Sequence, residues 1–208
     1  MNNFQNIITS EDQLRATLGY PSEIVTRKTI NYIDEHCQKF IENSPFITIA
    51  TSDLQGNLDV SPKGDPAGFV KILDDKILAI PDRPGNAKAD TLTNLIKNPN
   101  IGLIFLIPGV RETLRVNGEA LIVTDESILE LLICDGKKPS FAIIVKVKEA
   151  FMHCAKCMIR SKLWQNSETL KERPVASLAK ALVDQGKLDI SVQELDDMIK
   201  NDEQTNLY

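Results

Sequence analysis

Ser61-Pro-Lys-Gly-Asp65, Pro81-Asp-Arg-Pro-Gly-Asn86 and Arg115-Val-Asn-Gly118 are three short polar clusters, each set beside a run with strand character. Lys63, Arg83, Lys88 and Arg115 supply cationic hydrogen-bond donors, and the interspersed Gly and Pro let backbone N–H groups come close to an anion. Residues of these types in this order suit recognition of a phosphate-bearing cofactor. Taken singly, each cluster has a plainer reading. Ser61-Pro-Lys-Gly-Asp65 is also a polar turn leaving a hairpin, Asp82-Arg-Pro-Gly-Asn86 a strand-to-helix turn capped by Asn86, and Arg115 half of a cross-strand ion pair with an acid such as Glu119. Asn117-Gly118 inside a strand pattern marks either a bulge or a point of close backbone approach to a ligand.

The elements that must position these residues follow from periodicity. Ser10 to about Asn43 reads as helical, with Ser10-Glu-Asp-Gln13 as a capping box, Gly19 as a C-cap, and Ile30, Ile33, Cys37 and Phe40-Ile41 at helical spacing. From Pro45 the period changes to that of strands. Phe46–Thr51 with Leu58–Val60, and Phe69–Leu73 with Lys76–Ile80, read as two β-hairpins. A helix is expected from about Asn86, whose side chain would cap it and whose first turn would favour a bound phosphate, to Lys97, before Asn98-Pro99. Ile101–Ile107 and Thr113–Thr124 give two more strands, Glu126–Cys134 a short helix, and Phe141–Lys148 a last strand. Ala155–Trp164 and segments near Ala176–Gln185 and Val192–Lys200 read as helices.

About seven strands in hairpin order, interrupted by helices rather than alternating with them, argue for an α+β fold that is mainly β. The expectation is a small antiparallel, Greek-key-like barrel with peripheral helices at about 10–43 and 155–201, in one domain over 1–208. The 208 residues are 42% hydrophobic and 25% charged, the composition of an ordinary soluble globular protein. A net charge of −5 gives no general attraction to nucleic acid or anionic lipid, so a basic site here must be local and its partner small. No apolar run approaches the roughly 20 residues of a membrane helix, and Met1-Asn-Asn-Phe-Gln5 lacks the features of a signal peptide, so a cytoplasmic location is expected. Cys37, Cys134, Cys154 and Cys157 are expected to be reduced. His153-Cys154-x-x-Cys157 lacks the second ligand pair of a structural zinc site, and no metal is expected; its thiols read as packing residues beside a helix start.

Ser61-Pro-Lys-Gly-Asp65, Asp82-Arg-Pro-Gly-Asn86, Leu114-Arg-Val-Asn-Gly118 and Phe151-Met-His-Cys-Ala-Lys156, followed by Arg160-Ser161 and Trp164, resemble the pyridoxamine 5'-phosphate oxidase-like, FMN-binding split-barrel family. Within it they are similar to the bacterial branch with the Ser-Pro-Lys-Gly-Asp and Asp-Arg-Pro-Gly-Asn signatures. The resemblance implies a homodimer of split barrels with FMN in clefts at the subunit interface. It implies that Ser61, Pro62, Lys63 and Asp65 line the flavin, that Arg83, Asn86 and Lys88 hold its phosphate, and that Arg115 is a further site residue. It also assigns Lys156, Arg160, Ser161 and Trp164 to a helix that completes the site, with Lys156 and Arg160 one turn apart on one face and Trp164 continuing that face. The implied activity is an FMN-dependent oxidoreductase acting on a small molecule, with no catalytic acid–base pair assigned; the alternative is a non-catalytic flavin carrier, sensor or partner module. Pyridoxamine 5'-phosphate oxidase itself uses an Arg-x-His pair for substrate, and this chain has only His36 and His153, neither in that pattern. Oxidation of pyridoxamine phosphate is therefore not expected.

Overall fold

The computed structural model describes residues 4–164 and 174–206. The part of the C-terminal helical expectation at 165–173 lies outside the described residues.

Seven strands run in the positions that the sequence pattern indicates: β1 (Phe46–Ser52), β2 (Leu58–Gly64), β3 (Lys71–Ile72), β4 (Ile77–Asp82), β5 (Asn100–Leu106), β6 (Thr113–Val123) and β7 (Phe141–His153). They form one antiparallel sheet in the order β2-β1-β5-β6-β7-β4-β3. The two-residue period sorts its faces. Ile47 and Ile49, Leu103 and Phe105, Leu114 and Val116, Leu78 and Ile80, and Ile143 and Val145 are all buried in a single core inside the curled sheet. Each such side chain contributes about 1.5–3 kcal/mol of apolar burial. β4 is buried on both faces, because α5 (Glu126–Leu131) covers its other side, where Ala79, Ala142, Leu129 and Leu132 meet.

The N-terminal helical expectation is corrected in detail. The helices are three and short, with non-helical chain between them: α1 (Glu11–Leu18), α2 (Glu23–Arg27) and α3 (Glu35–Glu42). Ser10 caps α1 and Gly19 ends it at φ +69°, although the Gln13 side chain reaches back to the Thr9 N–H rather than to that of Ser10. Ile30 is not helical. It exchanges backbone hydrogen bonds with Ala150 of β7, which lends the sheet a partner where the chain enters the core. Asp34 then caps α3, accepting from the Cys37 N–H at 2.8 Å.

The second correction bears on the site. Between β4 and β5 the helix α4 is Asp90–Lys97, four residues later than expected, and Asn86 does not cap it. Instead the Asn86 side chain accepts from the Lys88 N–H at 3.1 Å in a local turn, and Ala87 and Ala89 both take left-handed backbone conformations, at φ 58° and 55°. A left-handed residue cannot continue a right-handed helix. The segment 83–89 is therefore an irregular loop.

After β7 come α6 (Lys156–Ser161), α7 (Leu178–Gly186) and α8 (Val192–Thr205). Ser191 and Glu194 build a full capping box at the start of α8. Among the described residues no helix is long and apolar enough to cross a membrane.

Asn117-Gly118 is a bulge. The β6–β7 register slips there, so that Asn117 faces Glu149 while Gly118 faces Val147. A Cβ on Gly118 would lie 2.2 Å from the Lys146 carbonyl oxygen, a collision with backbone that cannot be relieved by a rotamer change. Gly118→Ala is expected to lower stability by about 2–3 kcal/mol. Urea unfolding would show it, and a loss under about 0.5 kcal/mol would mean that the two strands part without cost.

Candidate functional site

Along β2 the polar residues Asp59, Ser61 and Lys63 alternate with Leu58, Val60 and Pro62, which places the three polar side chains on one face. In register they sit opposite Thr51, Ile49 and Ile47, the inward residues of β1. β2 is an edge strand, the place in a sheet where a proline such as Pro62 is tolerated. The inward row has no further strand to lean on. It meets the end of β4 instead, where β3 has already stopped and the strand is again an edge.

Two ion pairs close this seam. Lys63 Nζ lies 2.9 Å from Asp82 Oδ1, and Arg83 Nε lies 2.7 Å from Asp65 Oδ2. The Asp65 side chain is only 1% exposed and that of Arg83 14%. Arg83 also donates to the Leu132 carbonyl oxygen at 2.9 Å, tying the seam to the end of α5. The hydroxyls of Ser61 and Thr91 both reach the Asp59 carboxylate, at 3.1 and 2.6 Å, which joins β2 to α4.

A cavity of about 610 Å³ opens over this seam, lined by Ser61, Lys63, Asp82, residues 83–92, residues 137–140 and Phe141. A second, of about 440 Å³, adjoins it and adds Pro62, Asp65 and Phe69. The size falls in the range of small-molecule and cofactor sites. The structure thus brings together Ser61, Pro62, Lys63, Asp65, Arg83, Asn86 and Lys88. Lys88 is exposed and pairs with Asp90 at 2.7 Å, and that hydrogen-bonded charge raises its pKa. Lys137 and Lys138 also line the cavity. The sequence reading missed them; the signal was Asp135-Gly136, a tight-turn dipeptide that places the next two residues at one spot.

Arg115 and the α6 residues lie elsewhere. Arg115 stands on the outer face of β6, 3.6 Å from Glu149 and over the Phe151 ring at 5.2 Å from its centre. The cross-strand ion pair therefore exists, but with Glu149; Glu119 pairs with Lys148. Lys156, Arg160 and Ser161 are exposed on α6, beyond the end of β7, whereas the cavity touches the start of that strand at Phe141. A strand of 13 residues spans roughly 40 Å when extended. Within one chain the two groups are at opposite ends. Trp164 is not on the helix, which stops at Ser161 with Lys162 left-handed; its indole N–H donates to the Val110 carbonyl at 2.8 Å.

The expectation that the Cys154 and Cys157 thiols pack is corrected: both are exposed, and Met158 is the residue α6 buries. Cys37, by contrast, is buried, and burial with the neighbouring Asp34 carboxylate pushes its pKa up to about 12. Among the described residues no group of three or more His, Cys, Asp or Glu is placed to hold a metal ion.

A family model described as Pyridoxamine 5'-phosphate oxidase matches residues 33–154, from two residues before α3 to the residue after β7. The chain belongs to this family. No match is found among curated proteins. Among solved structures the chain is similar to the HupZ protein of Group A Streptococcus, at 22% identity over 58% of this chain and 93% of that one, with a TM-score of 0.49. A candidate pyridoxamine 5'-phosphate oxidase of Lactobacillus delbrueckii is 21% identical over 59% of this chain and 95% of that one, with a TM-score of 0.48. An FMN-binding protein of Syntrophomonas wolfei is 14% identical over 69% and 96%, with a TM-score of 0.47. The region matched by the family model contains the whole seam and its cavity, and excludes α6 and everything after it.

Removing one member of a buried ion pair leaves the other unpaired in a low-dielectric setting. Asp65→Ala is expected to cost about 3–5 kcal/mol in chemical unfolding, and Asp82→Ala distinctly less, because the Lys63–Asp82 pair is more exposed. Equal losses would remove the special role of the Asp65–Arg83 pair. At the far end of β7, burial first, and then the charges of Lys28 and Arg115, hold the His153 pKa below its ordinary value. The folded protein then binds fewer protons here than the unfolded chain, so the stability His153 contributes is full above about 6.5 and falls as the pH drops through that value. His153→Gln is expected to flatten the decline in urea stability between roughly pH 7 and 5; an unchanged slope would assign that decline to other groups.

Proposed function

We propose that this protein binds FMN with its phosphate in the seam cavity and works as an FMN-dependent oxidoreductase on a small molecule. The cationic loop and strand that line one cavity, built from the two sequence signatures, carry this reading. A flavin phosphate holds roughly two negative charges and accepts charge-assisted hydrogen bonds, and Lys63, Arg83 and Lys88 stand around a space large enough for a cofactor. Family membership supports the flavin as the group concerned. When bound, the flavin supplies the redox step. The chain's own part is to hold the phosphate, to orient the ring, and to govern access to it.

The reading includes a homodimer. The outer face of β2, β1 and β5 carries Val60, 65% exposed, with Phe46 and Ile104 at 38% each, and Leu58 beside them. That is an apolar sheet face of the kind protein interfaces use. It continues across β6 to Arg115 and Phe151. A second copy on this face would also supply an α6, with Lys156, Arg160, Ser161 and Trp164, to a cavity that a chain's own α6 cannot reach. Absence of an Arg-x-His pair stands against pyridoxamine phosphate as the substrate.

The absorbance spectrum of the purified protein, with mass identification of what denaturation releases, tests the cofactor. Released FMN is the expected result, and a colourless protein that takes up no added FMN would overturn the reading. Lys88→Gln is expected to weaken FMN roughly tenfold and riboflavin not at all, the value of one charge-assisted hydrogen bond. Bound FMN with no turnover under any nicotinamide donor would make the protein a carrier. Sedimentation equilibrium is expected to give a dimer that Val60→Lys weakens; a monomer at all concentrations would remove the two-chain site.

A further inference from the structure

The cavity over the seam is lined by five cations, and four of them already have a carboxylate. Lys63 is paired with Asp82, Arg83 with Asp65, Lys88 with Asp90, and Lys138 with Glu126. Lys137 makes no ion pair among the described residues. The cavity's unmatched positive charge therefore sits on Lys137, and it adds to the attraction that Lys63, Arg83 and Lys88 offer an arriving anion.

The backbone holds Lys137 there. Cys134 and Lys137 exchange both N–H to carbonyl hydrogen bonds, at 3.1 and 2.8 Å, around a two-residue turn. Asp135 and Gly136 at the tip have φ 48° and 72°, the left-handed pair that the tightest reversals need. Leu132 on one side of this turn and Pro139 on the other are buried. The carbonyl of Leu132 accepts from Arg83, so the turn is fixed to the seam itself. Lys137 thus rises from a short, anchored loop at the rim of the cavity.

We propose that Lys137 is a phosphate-binding residue of this cavity, a further one whose charge favours a phosphorylated ligand over its unphosphorylated form. For the identity of the ligand the proposal rests on the flavin reading above. It adds a residue that neither sequence signature contains and that lies about fifty positions beyond them.

The test compares FMN and riboflavin binding to the full-length protein and to Lys137→Gln by fluorescence titration. The expected result is an FMN affinity about tenfold weaker in Lys137→Gln, an unchanged riboflavin affinity, and recovery of FMN binding to within about threefold of the original by Lys137→Arg. Equal FMN affinity in the original protein and Lys137→Gln would overturn the proposal while leaving the flavin site intact. If the original protein takes up no flavin, the flavin reading falls first, and inorganic pyrophosphate titrated by calorimetry decides the rest. Binding that Lys137→Gln abolishes upholds the anion role, and absence of binding in the original protein overturns it.

Discussion

A curled antiparallel sheet that stops short of closure has to join its last two edges by something other than a ladder of backbone hydrogen bonds. Here the Asp65–Arg83 pair does that, with Lys63–Asp82 beside it and the Arg83–Leu132 contact behind it. An ion pair buried to this degree is a poor source of net stability, since desolvating both charges offsets most of their attraction. It is a strong source of geometry. A carboxylate and a guanidinium that must find each other fix the separation of β2 and β4, and the curvature of all the strands between them follows.

The same seam is the candidate ligand site, which is a natural outcome of the topology. Edges of sheets carry unpaired backbone groups and side chains with no neighbouring strand, and the loop 83–89 that leaves β4 there, with 134–140 between α5 and β7 beside it, is free to take an irregular shape. Ala87 and Ala89, both left-handed, store strain of order 1 kcal/mol each on either side of Lys88. Strain of this kind persists only where packing on either side determines it. α4 and β4 do so here.

Elements set by local periodicity were legible in the residues alone. β1 and β5 alternate or run apolar over their whole length, and β7 does so as far as Lys148, beyond which the strand continues to His153 by pairing with β6. What could not be read was whatever depends on distant partners. Ile30 has helical spacing to Ile33 and Cys37, yet its backbone pairs with Ala150, 120 positions away. Asn86 is a good capping residue, but it turns back on Lys88 because the following alanines leave the helical region. Asp65 and Arg83 were both marked as site residues; that they are bound to one another depends on the closing of the whole sheet. Asp135-Gly136 was visible as a turn signal, while the cavity beside it exists only once α5 has packed on β4 and β7. The exposure of Cys154 and Cys157 is of the same kind, since a six-residue helix buries one side, and Met158 occupies it.

Trp164 is the chain's only tryptophan, and it lies outside the sheet, hydrogen-bonded to the loop between β5 and β6. Its emission therefore samples one junction rather than the core. A change in that signal reports the docking of the segment after α6 against Val110, while the seam between β2 and β4, at the other end of β7, stays spectroscopically silent at tryptophan wavelengths. Any chromophore bound at the seam of the same chain would sit far down the sheet from this indole. One brought against it by a second copy would sit close, so energy transfer from Trp164 distinguishes the two arrangements in solution without any substitution.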